Sequence, residues 1–402
     1  MTNNLETLQY NFPTITNISD VLPHISGRTE FKVMHKDGYS VVNYVVNYGE
    51  TFDWDANDER GSIMRRECRG LIFDSVSGEL LSRPYHKFFN VGEKQELLPH
   101  NIDLSVPHIL LEKLDGSMIR PVPSTDLSRW RLGTKAGVTD VAMNAEVWVS
   151  RHSNYSEFID MAIVHGLTPL FEWCSRKNQV VVDHPQDRLV LTAVRHNERG
   201  FYLPYKALCN FAQEYELDLV QVINSATDSI SELVDNIRAW DDGEGVVIRF
   251  ESENGGRSQG HMLKIKADAY LVLHKAKDAI SLEKNVVEVV LNDKVDDLLP
   301  ILTEPDSLRL RNFQGMFWAG VDRVAAQLTD EYVSEGLEYS EQKDFAQQFV
   351  STLPKPVHPF MFGLRKGLAA RDMLVEAIAK STVNQTKVDA SRWMWGGHKW
   401  TL

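Results

Sequence analysis

The pattern of apolar residues changes near Ala269, about two-thirds of the way along this 402-residue chain. Before that point, short runs of β-branched and aromatic residues alternate with turn residues, which is typical of antiparallel strands. After it, apolar residues recur at steps of three and four, which indicates amphipathic helices. The change predicts an α+β fold with two domains. Residues 1–270 would form antiparallel sheets with flanking helices, and residues 271–402 would be all-helical.

Several segments show these patterns clearly. We predict strands within residues 39–49, 70–84 and 189–204, and helices over residues 207–215 and 229–240. Two further strands, over residues 243–250 and 261–270, would be joined by a Gly-rich turn. In the helical part, the clearest apolar stripe consists of Phe313, Phe317, Val321, Val324 and Leu328.

Charge and cysteine content restrict the function classes. The chain has 43 basic and 56 acidic residues, a formal net charge of −13. This excludes a generic basic protein that coats nucleic acid, so an anionic ligand would need a local basic patch. Three cysteines without paired or metal-type spacing predict reduced thiols in a cytoplasmic protein without structural zinc. We find no signal peptide and no membrane-spanning stretch, and therefore expect no membrane partner. A monomer is the favoured oligomeric state.

A lysine stands between two predicted strands, in the segment “EKLDGS” that contains Lys113. Average residue frequencies give roughly 0.1 chance matches to Lys-x-Asp-Gly in a chain this long. Asp-Gly is also common turn chemistry. The motif alone therefore favours a solvated turn over a lysine nucleophile.

Other charged residues occur in a particular order around this motif. The cations and carboxylates concerned are Arg69, Lys87, Lys135, Glu172, Glu244, Lys264 and Lys266. The last two are two residues apart in a predicted strand, so their side chains share one face. This order favours the nucleophile interpretation.

Each of these residues also has an ordinary structural explanation. Arg69 could form a surface ion pair with Glu67, and the stem of Lys87 could cover the neighbouring phenylalanines. Glu172 could be the water-facing position of an alternating strand. Glu244 could belong to an acidic turn, and the Lys-x-Lys pair could be a solvated strand face.

The C-terminal segment “SRWMWGGHKWTL” alternates aromatic with basic residues, a pattern that suits base stacking. Docking of Trp393, Trp395 and Trp400 onto the protein core is the simpler interpretation, and we favour it.

In their order, these segments resemble the covalent nucleotidyltransferase superfamily of nucleic-acid ligases and RNA capping enzymes. “EKLDGS” is similar to its lysine-nucleophile motif, and “LFEWC”, “EGVVIRF” and “LKIK” are similar to later motifs of its nucleotide pocket. “RECRGLIFD” and “RPYHKFFN” resemble segments of the bacteriophage RNA ligase 1 family. DNA ligases and capping enzymes usually follow the last pocket motif with a strand-rich domain, whereas this chain continues with helices.

The resemblance implies a nucleotidyltransferase domain over residues 1–270, followed by a helical domain that contributes to the choice of RNA. The implied function is an ATP-dependent RNA ligase that joins 5′-phosphate and 3′-hydroxyl RNA ends through lysyl-AMP and RNA-adenylate intermediates. A nicked tRNA anticodon loop is a candidate substrate, and the cytoplasm of an infected bacterium is the location expected of a phage-encoded protein. The alternatives are a non-catalytic RNA-binding protein that keeps the fold, and a DNA ligase or capping-type nucleotidyltransferase.

The resemblance also implies roles for individual residues. Lys113 would attack the α-phosphate of ATP and carry AMP covalently. A free lysine has a pKa of about 10.4, so burial and the neighbouring cations Lys264 and Lys266 would have to favour its neutral form. Glu244 would be catalytic and would bind Mg²⁺ or Mn²⁺, with Asp296 as a second metal ligand.

The implied nucleotide pocket is larger than this catalytic set. Its members are Arg69, Lys87, Lys113, Gly116, Lys135, Glu172, Glu244, Lys264, Lys266 and Tyr270. Arg69 and Lys87 would hold the ATP phosphates, and Glu172 would accept the ribose hydroxyls. Gly116 would let the backbone approach the nucleotide closely.

Overall fold

The computed structural model describes residues 11–45, 50–122, 130–178, 180–225, 227–251 and 261–401. The chain divides into two compact units, Met1–Leu271 and Val272–Leu402. The first contains antiparallel sheets with flanking helices, and the second is helical. The predicted α+β class is therefore confirmed. In the described ranges, no helix has both the length and the apolar character that crossing a membrane requires.

The described part of the first unit forms three antiparallel sheets. Their strands are β1 Phe31–His35, β2 Tyr39–Tyr44, β3 Arg69–Asp74, β4 Leu80–Ser82, β5 His108–Glu112, β6 Ser117–Val122, β7 Arg131–Gly133, β8 Leu167–Cys174, β9 Arg188–His196, β10 Gly245–Phe250 and β11 Met262–Lys266. The strand orders are β1-β2-β3-β4, β11-β10-β5 and β7-β6-β8-β9. Residues 252–260, which make up nearly all of the predicted Gly-rich turn between β10 and β11, lie outside the described residues.

Helices flank these sheets. They are α1 Leu22–Ile25, α2 Glu59–Glu67, α3 Asp140–Val149, α4 Ser153–Val164, α5 Tyr205–Glu214 and α6 Ile230–Arg238, with α7 Asp268–Ser281 beginning at the end of the unit. The predicted helices over residues 207–215 and 229–240 correspond to α5 and α6. The side chain of Ser229 caps α6 by accepting a hydrogen bond from the Glu232 backbone N–H. The apolar face of α6 joins one hydrophobic cluster with β10 and β11.

A buried ion cluster connects distant parts of the first unit. The carboxylate of Glu67, at the end of α2, accepts hydrogen bonds from Arg83 Nε at 3.1 Å and from Arg195 Nη2 at 2.8 Å. All three side chains are fully buried. Burial alone would raise the pKa of Glu67, but the two arginines hold it below its usual value. Glu67 is therefore a structural anchor, and the surface ion pair with Arg69 that we considered is wrong.

The second unit is built around one long helix. Its helices after α7 are α8 Glu283–Leu291, α9 Val295–Leu298, α10 Glu304–Ser334, α11 Gln342–Asp344, α12 His358–Arg365, α13 Ala370–Ser381 and α14 Gln385–Ser391. A π-helical turn, Phe345–Phe349, follows α11. The predicted stripe Phe313, Phe317, Val321, Val324 and Leu328 is buried along α10, in the main hydrophobic cluster of this unit.

Candidate active site

The three-stranded sheet brings three charged residues to one of its ends. Lys113 follows β5 directly, Glu244 precedes β10, and Lys266 ends β11. The antiparallel register places Gly245 opposite Lys266 and Val246 opposite Glu112. The Lys113 backbone N–H also donates to the Gly245 carbonyl at 2.9 Å. Lys113 and Glu244, 131 positions apart in the sequence, therefore meet because strand pairing fixes their positions.

Glu244 pairs with two lysines at this sheet end. Its Oε1 lies 2.6 Å from Lys113 Nζ and 2.9 Å from Lys266 Nζ. The Glu244 side chain is 5% exposed, whereas the two lysine side chains are 20% and 21% exposed. One buried carboxylate is thus shared by two cations that remain accessible to a ligand. The acidic-turn explanation of Glu244 is wrong, since its side chain is neither solvated nor unpaired.

Lys264 lies two residues before Lys266 on β11, so the two side chains share a face. Burial, together with the positive charges of Lys87 and Lys113, lowers the pKa of Lys264 to about 7. Its Nζ lies 5.7 Å from the centre of the Phe88 ring. A solvated strand face does not describe this lysine, because desolvation is the main cause of its lowered pKa.

A second group of cations surrounds the phenol of Tyr44. Lys135 Nζ lies 4.5 Å and Lys87 Nζ 5.7 Å from the centre of the Tyr44 ring. Burial would raise the pKa of Tyr44, but Arg69, Lys87 and Lys135 together lower it. We call Arg69, Lys87 and Lys135 the cation cluster. Three positive charges around one half-buried phenol form a place suited to an anionic ligand.

Two features of the backbone and packing bring this cation cluster together. Gly70 has a φ of +96°, and a Cβ there would overlap the carbonyl oxygen of Lys135. Glycine at this position therefore lets β3 approach the segment that carries Lys135. Lys87 Nζ also lies 5.3 Å from the Phe89 ring centre. Lys87 therefore covers a phenylalanine ring, as the ordinary explanation proposed, and at the same time belongs to the cation cluster.

Gly116 and Glu172 meet where β6 pairs with β8. Ser117 lies opposite Trp173, and a Cβ on Gly116 would come within 2.5 Å of the Trp173 carbonyl oxygen. We predicted that Gly116 lets the backbone approach the nucleotide closely. In the structure, the group that approaches Gly116 closely is the backbone of strand β8.

Glu172 is half-buried on β8. Burial, reinforced by the negative charges of Glu244 and Asp115, raises the pKa of Glu172 to about 8, although Lys113 and Arg69 oppose the shift. The Glu172 carboxyl is thus electrostatically linked to the Lys113 site, and a fully solvated strand position does not describe it.

Asp115 is a site residue that the sequence reasoning missed. Its buried Oδ2 accepts hydrogen bonds from the backbone N–H groups of Val181 at 2.7 Å and Val182 at 2.6 Å. Its Oδ1 accepts one from the Tyr270 hydroxyl at 2.8 Å. Asp115 therefore anchors the turn that presents Lys113, and its position two residues after the lysine was the only sequence signal.

Tyr270 lies beside the lysines, with Lys266 Nζ 5.0 Å from its ring centre. Burial, Glu244 and Asp115 all raise the pKa of Tyr270, so its hydroxyl stays protonated and donates to Asp115. The structure therefore brings Tyr270 together with the predicted catalytic residues of the first unit.

Asp296 is the predicted site residue that belongs to the second unit, where it lies exposed in the first turn of α9. Across the described ranges, no group of three or more His, Cys, Asp or Glu side chains forms a ready metal site. Mg²⁺ usually needs only one or two carboxylates when substrate phosphates supply further oxygens. Glu244, buried and aimed at the lysines, fits that limited role.

Comparisons with known proteins show which sequences and structures this chain resembles. Residues 67–270, just over half of the chain, match the sequence model of the family described as RNA ligase. A putative RNA ligase from Thermovibrio ammonificans is 30% identical over 297 residues, which cover 72% of either chain. RNA ligase 1 of bacteriophage TS2126 is 34% identical over 84 residues, 20% of this chain and 19% of that protein. A solved archaeal ATP-dependent RNA ligase aligns with 65% of this chain and 64% of its own, with a TM-score of 0.43 and 16% identity.

The matched segment includes every predicted site residue of the first unit, from Arg69 to Tyr270. The resemblance to RNA ligases that the motifs indicated is confirmed by the extent of the family match and of the Thermovibrio relative. The chain belongs to the RNA ligase family.

Proposed function

We propose that this chain is an ATP-dependent RNA ligase in which Lys113 forms the covalent lysyl-AMP intermediate. The observation that supports this most is the meeting of Lys113, Glu244 and Lys266 at one sheet end, with Lys264 on the same strand face. In a chain of the RNA ligase family, these are groups that could supply a nucleophile, a proton acceptor and phosphate ligands.

In the first step, the Lys113 amine attacks the α-phosphorus of ATP. A nitrogen–phosphorus bond forms while the bond to the pyrophosphate oxygen breaks, and the amine must give up a proton. Glu244 Oε1, 2.6 Å from Lys113 Nζ, is placed to receive that proton. Lys264 and Lys266 would bind the α-phosphate oxygens as negative charge develops on them.

The remaining pocket residues would hold the rest of the nucleotide. The cation cluster of Arg69, Lys87 and Lys135 would bind the β- and γ-phosphates. Glu172 would accept hydrogen bonds from the ribose hydroxyls. Tyr270 would position the turn that presents Lys113, because its hydroxyl donates to Asp115 in that turn.

We propose that Glu244 holds Mg²⁺ or Mn²⁺ together with the ATP phosphates, and Asp296 of the second unit remains a predicted metal ligand in its own right. One or two carboxylates are enough for Mg²⁺ when phosphate and water supply its other ligands. When bound, the ion would neutralise phosphate charge.

The next two steps use RNA. AMP passes from Lys113 to the 5′-phosphate of an RNA end, and a 3′-hydroxyl then displaces AMP to form a phosphodiester. Cleaved tRNA anticodon loops are the proposed natural substrate, because single-stranded loops and ends are the parts of RNA that proteins recognise most readily. We further propose that the helical unit contributes to RNA choice, and that the protein is phage-encoded and acts as a cytoplasmic monomer.

A ligation assay tests this proposal. A single-stranded RNA with a labelled 5′-phosphate and a free 3′-hydroxyl, incubated with ATP and Mg²⁺, should yield a joined product whose label resists phosphatase. Lys113→Ala should abolish the product. Lys36→Ala is the matched control, since Lys36 is an exposed lysine that also precedes Asp-Gly, in the turn between β1 and β2. A non-catalytic protein would give no product, and a DNA ligase would join only the corresponding DNA.

A further inference from the structure

The second unit contains an open groove of about 780 Å³. This volume lies within the range of small-molecule and cofactor sites. The groove lies between α10, the segment after the π-helical turn, α12 and the C-terminal segment. Its lining residues include Arg323, Gln327, Glu331, Leu353, Met361 and Trp393.

One wall of this groove is a row of polar side chains on α10. Arg323, Gln327 and Glu331 are four residues apart, so they lie on one face of the helix at intervals of about 6 Å. The row runs from a cation through an amide to a carboxylate, and therefore offers hydrogen-bond donors at one end and acceptors at the other.

Arg323 keeps its donors available to a ligand. Its neighbour Asp322 pairs with Arg371 at 2.8 Å, and the part of the chain that the structure describes supplies Arg323 with no ion-pair partner. The guanidinium lies against Gly396, where a Cβ would overlap Arg323 Nη2. Glycine at this position therefore leaves the space that the guanidinium occupies.

The aromatic wall comes from the C-terminal segment. Trp395 and Trp400 are buried, and their indole N–H groups donate to the carbonyls of His398 at 2.7 Å and Ile280 at 2.8 Å. The favoured interpretation of the segment as docked onto the core therefore holds for these two residues. Trp393 also packs against the core cluster, but it is only half-buried and lines the groove, with its ring edge-on to Phe360 at 5.8 Å.

We propose that this groove binds one nucleotide of a single-stranded RNA substrate. The base stacks on Trp393 above the apolar floor, as bases do on aromatic side chains of single-strand binding proteins. The phosphate lies at the Arg323 end, because Glu331 would repel it at the other. Gln327 and Glu331 hydrogen-bond the base edge. The inference rests on the proposed function, since it takes RNA to be the substrate.

Binding measurements on the full-length protein test the groove. Arg323→Glu and Trp393→Ala should each weaken binding of a fluorescent single-stranded RNA by about tenfold or more in an anisotropy titration. Arg311→Glu is the matched control, because Arg311 is an exposed arginine on the same helix and is not among the groove-lining residues. It should change the affinity by less than about threefold, as expected when only general electrostatics are altered.

Two further measurements separate this inference from the ligase proposal. Covalent labelling by α-labelled ATP should proceed normally in the groove variants, because it uses residues of the first unit. A 4-thiouridine RNA should crosslink to the peptide that contains Trp393 in the wild-type protein, which needs no variant to fold. Wild-type affinity in both groove variants, or an equal loss in Arg311→Glu, would overturn the inference. Absence of AMP labelling with groove-dependent RNA binding intact would overturn the ligase proposal alone.

Discussion

Replacing Glu172 by glutamine should make the protein more stable at alkaline pH while slowing its reaction with ATP. Burial raises the pKa of Glu172 from an ordinary 4.5 to about 8. The folded protein therefore binds a proton that the unfolded chain releases between these pH values, so wild-type stability falls as pH rises through this window. From about pH 5 to pH 8 the loss is about 3.5 kcal/mol at most, an upper limit because solvent partly screens a half-buried carboxyl.

Glutamine resembles the protonated acid and carries no such penalty. Chemical denaturation of Glu172→Gln and wild type at several pH values should show the variant gaining stability relative to wild type as pH rises. Glu198→Gln, an exposed position in the turn after β9, should stay within about 0.5 kcal/mol of wild type throughout. At pH 9, where the wild-type carboxyl is charged, AMP labelling by Glu172→Gln should be slower by about tenfold or more, since a charged acceptor for the ribose is lost. If the free energies of unfolding of wild type and Glu172→Gln changed with pH in parallel, the conclusion that Glu172 is a desolvated carboxyl linked to the Lys113 site would be refuted.

Three other substitutions or titrations test separate parts of the structure. Glu67→Ala should lower the free energy of unfolding by about 3–5 kcal/mol in urea denaturation, because two buried arginines lose their partner; a loss below about 1 kcal/mol would contradict the anchor role. Gly116→Ala should cost about 1–3 kcal/mol and slow AMP labelling, because the new Cβ would meet the Trp173 carbonyl at 2.5 Å; unchanged labelling would show that the turn can shift freely. At subsaturating ATP, the ratio of the wild-type labelling rate to that of Lys264→Arg should fall as pH rises above about 7, because Lys264 loses the charge that would bind the α-phosphate whereas arginine keeps it; a constant ratio from pH 7 to 9 in a rapid-quench assay would exclude that role.

Local sequence patterns predicted the strands beside the candidate nucleophile Lys113 and its neighbouring lysines. Lys113 follows an apolar strand, and Lys264 and Lys266 alternate along another, so their faces could be deduced from the two-residue period. The stripe of α10 was equally clear, because its five apolar residues repeat at helical spacing over four turns.

Contacts between residues far apart in the chain were not deducible. Glu67 meets Arg195 across 128 positions, and Asp115 meets Val181 across 66. No periodicity in a single sequence encodes such pairs, because they depend on how the sheets pack. The same limit explains why a surface ion pair between Arg69 and Glu67 had to be considered and why Asp115 was treated as ordinary turn chemistry. The grouping of three cations around Tyr44 likewise depends on β3 approaching Lys135 at Gly70.

The central claim is that Lys113 is the residue that becomes adenylylated. Incubation with ATP and Mg²⁺, followed by denaturation, proteolysis and mass spectrometry, measures this directly. The account predicts one AMP attached through an acid-labile phosphoramidate bond to the peptide that contains Lys113, and none in Lys113→Ala. AMP on another lysine, or undiminished labelling of Lys113→Ala, would contradict it.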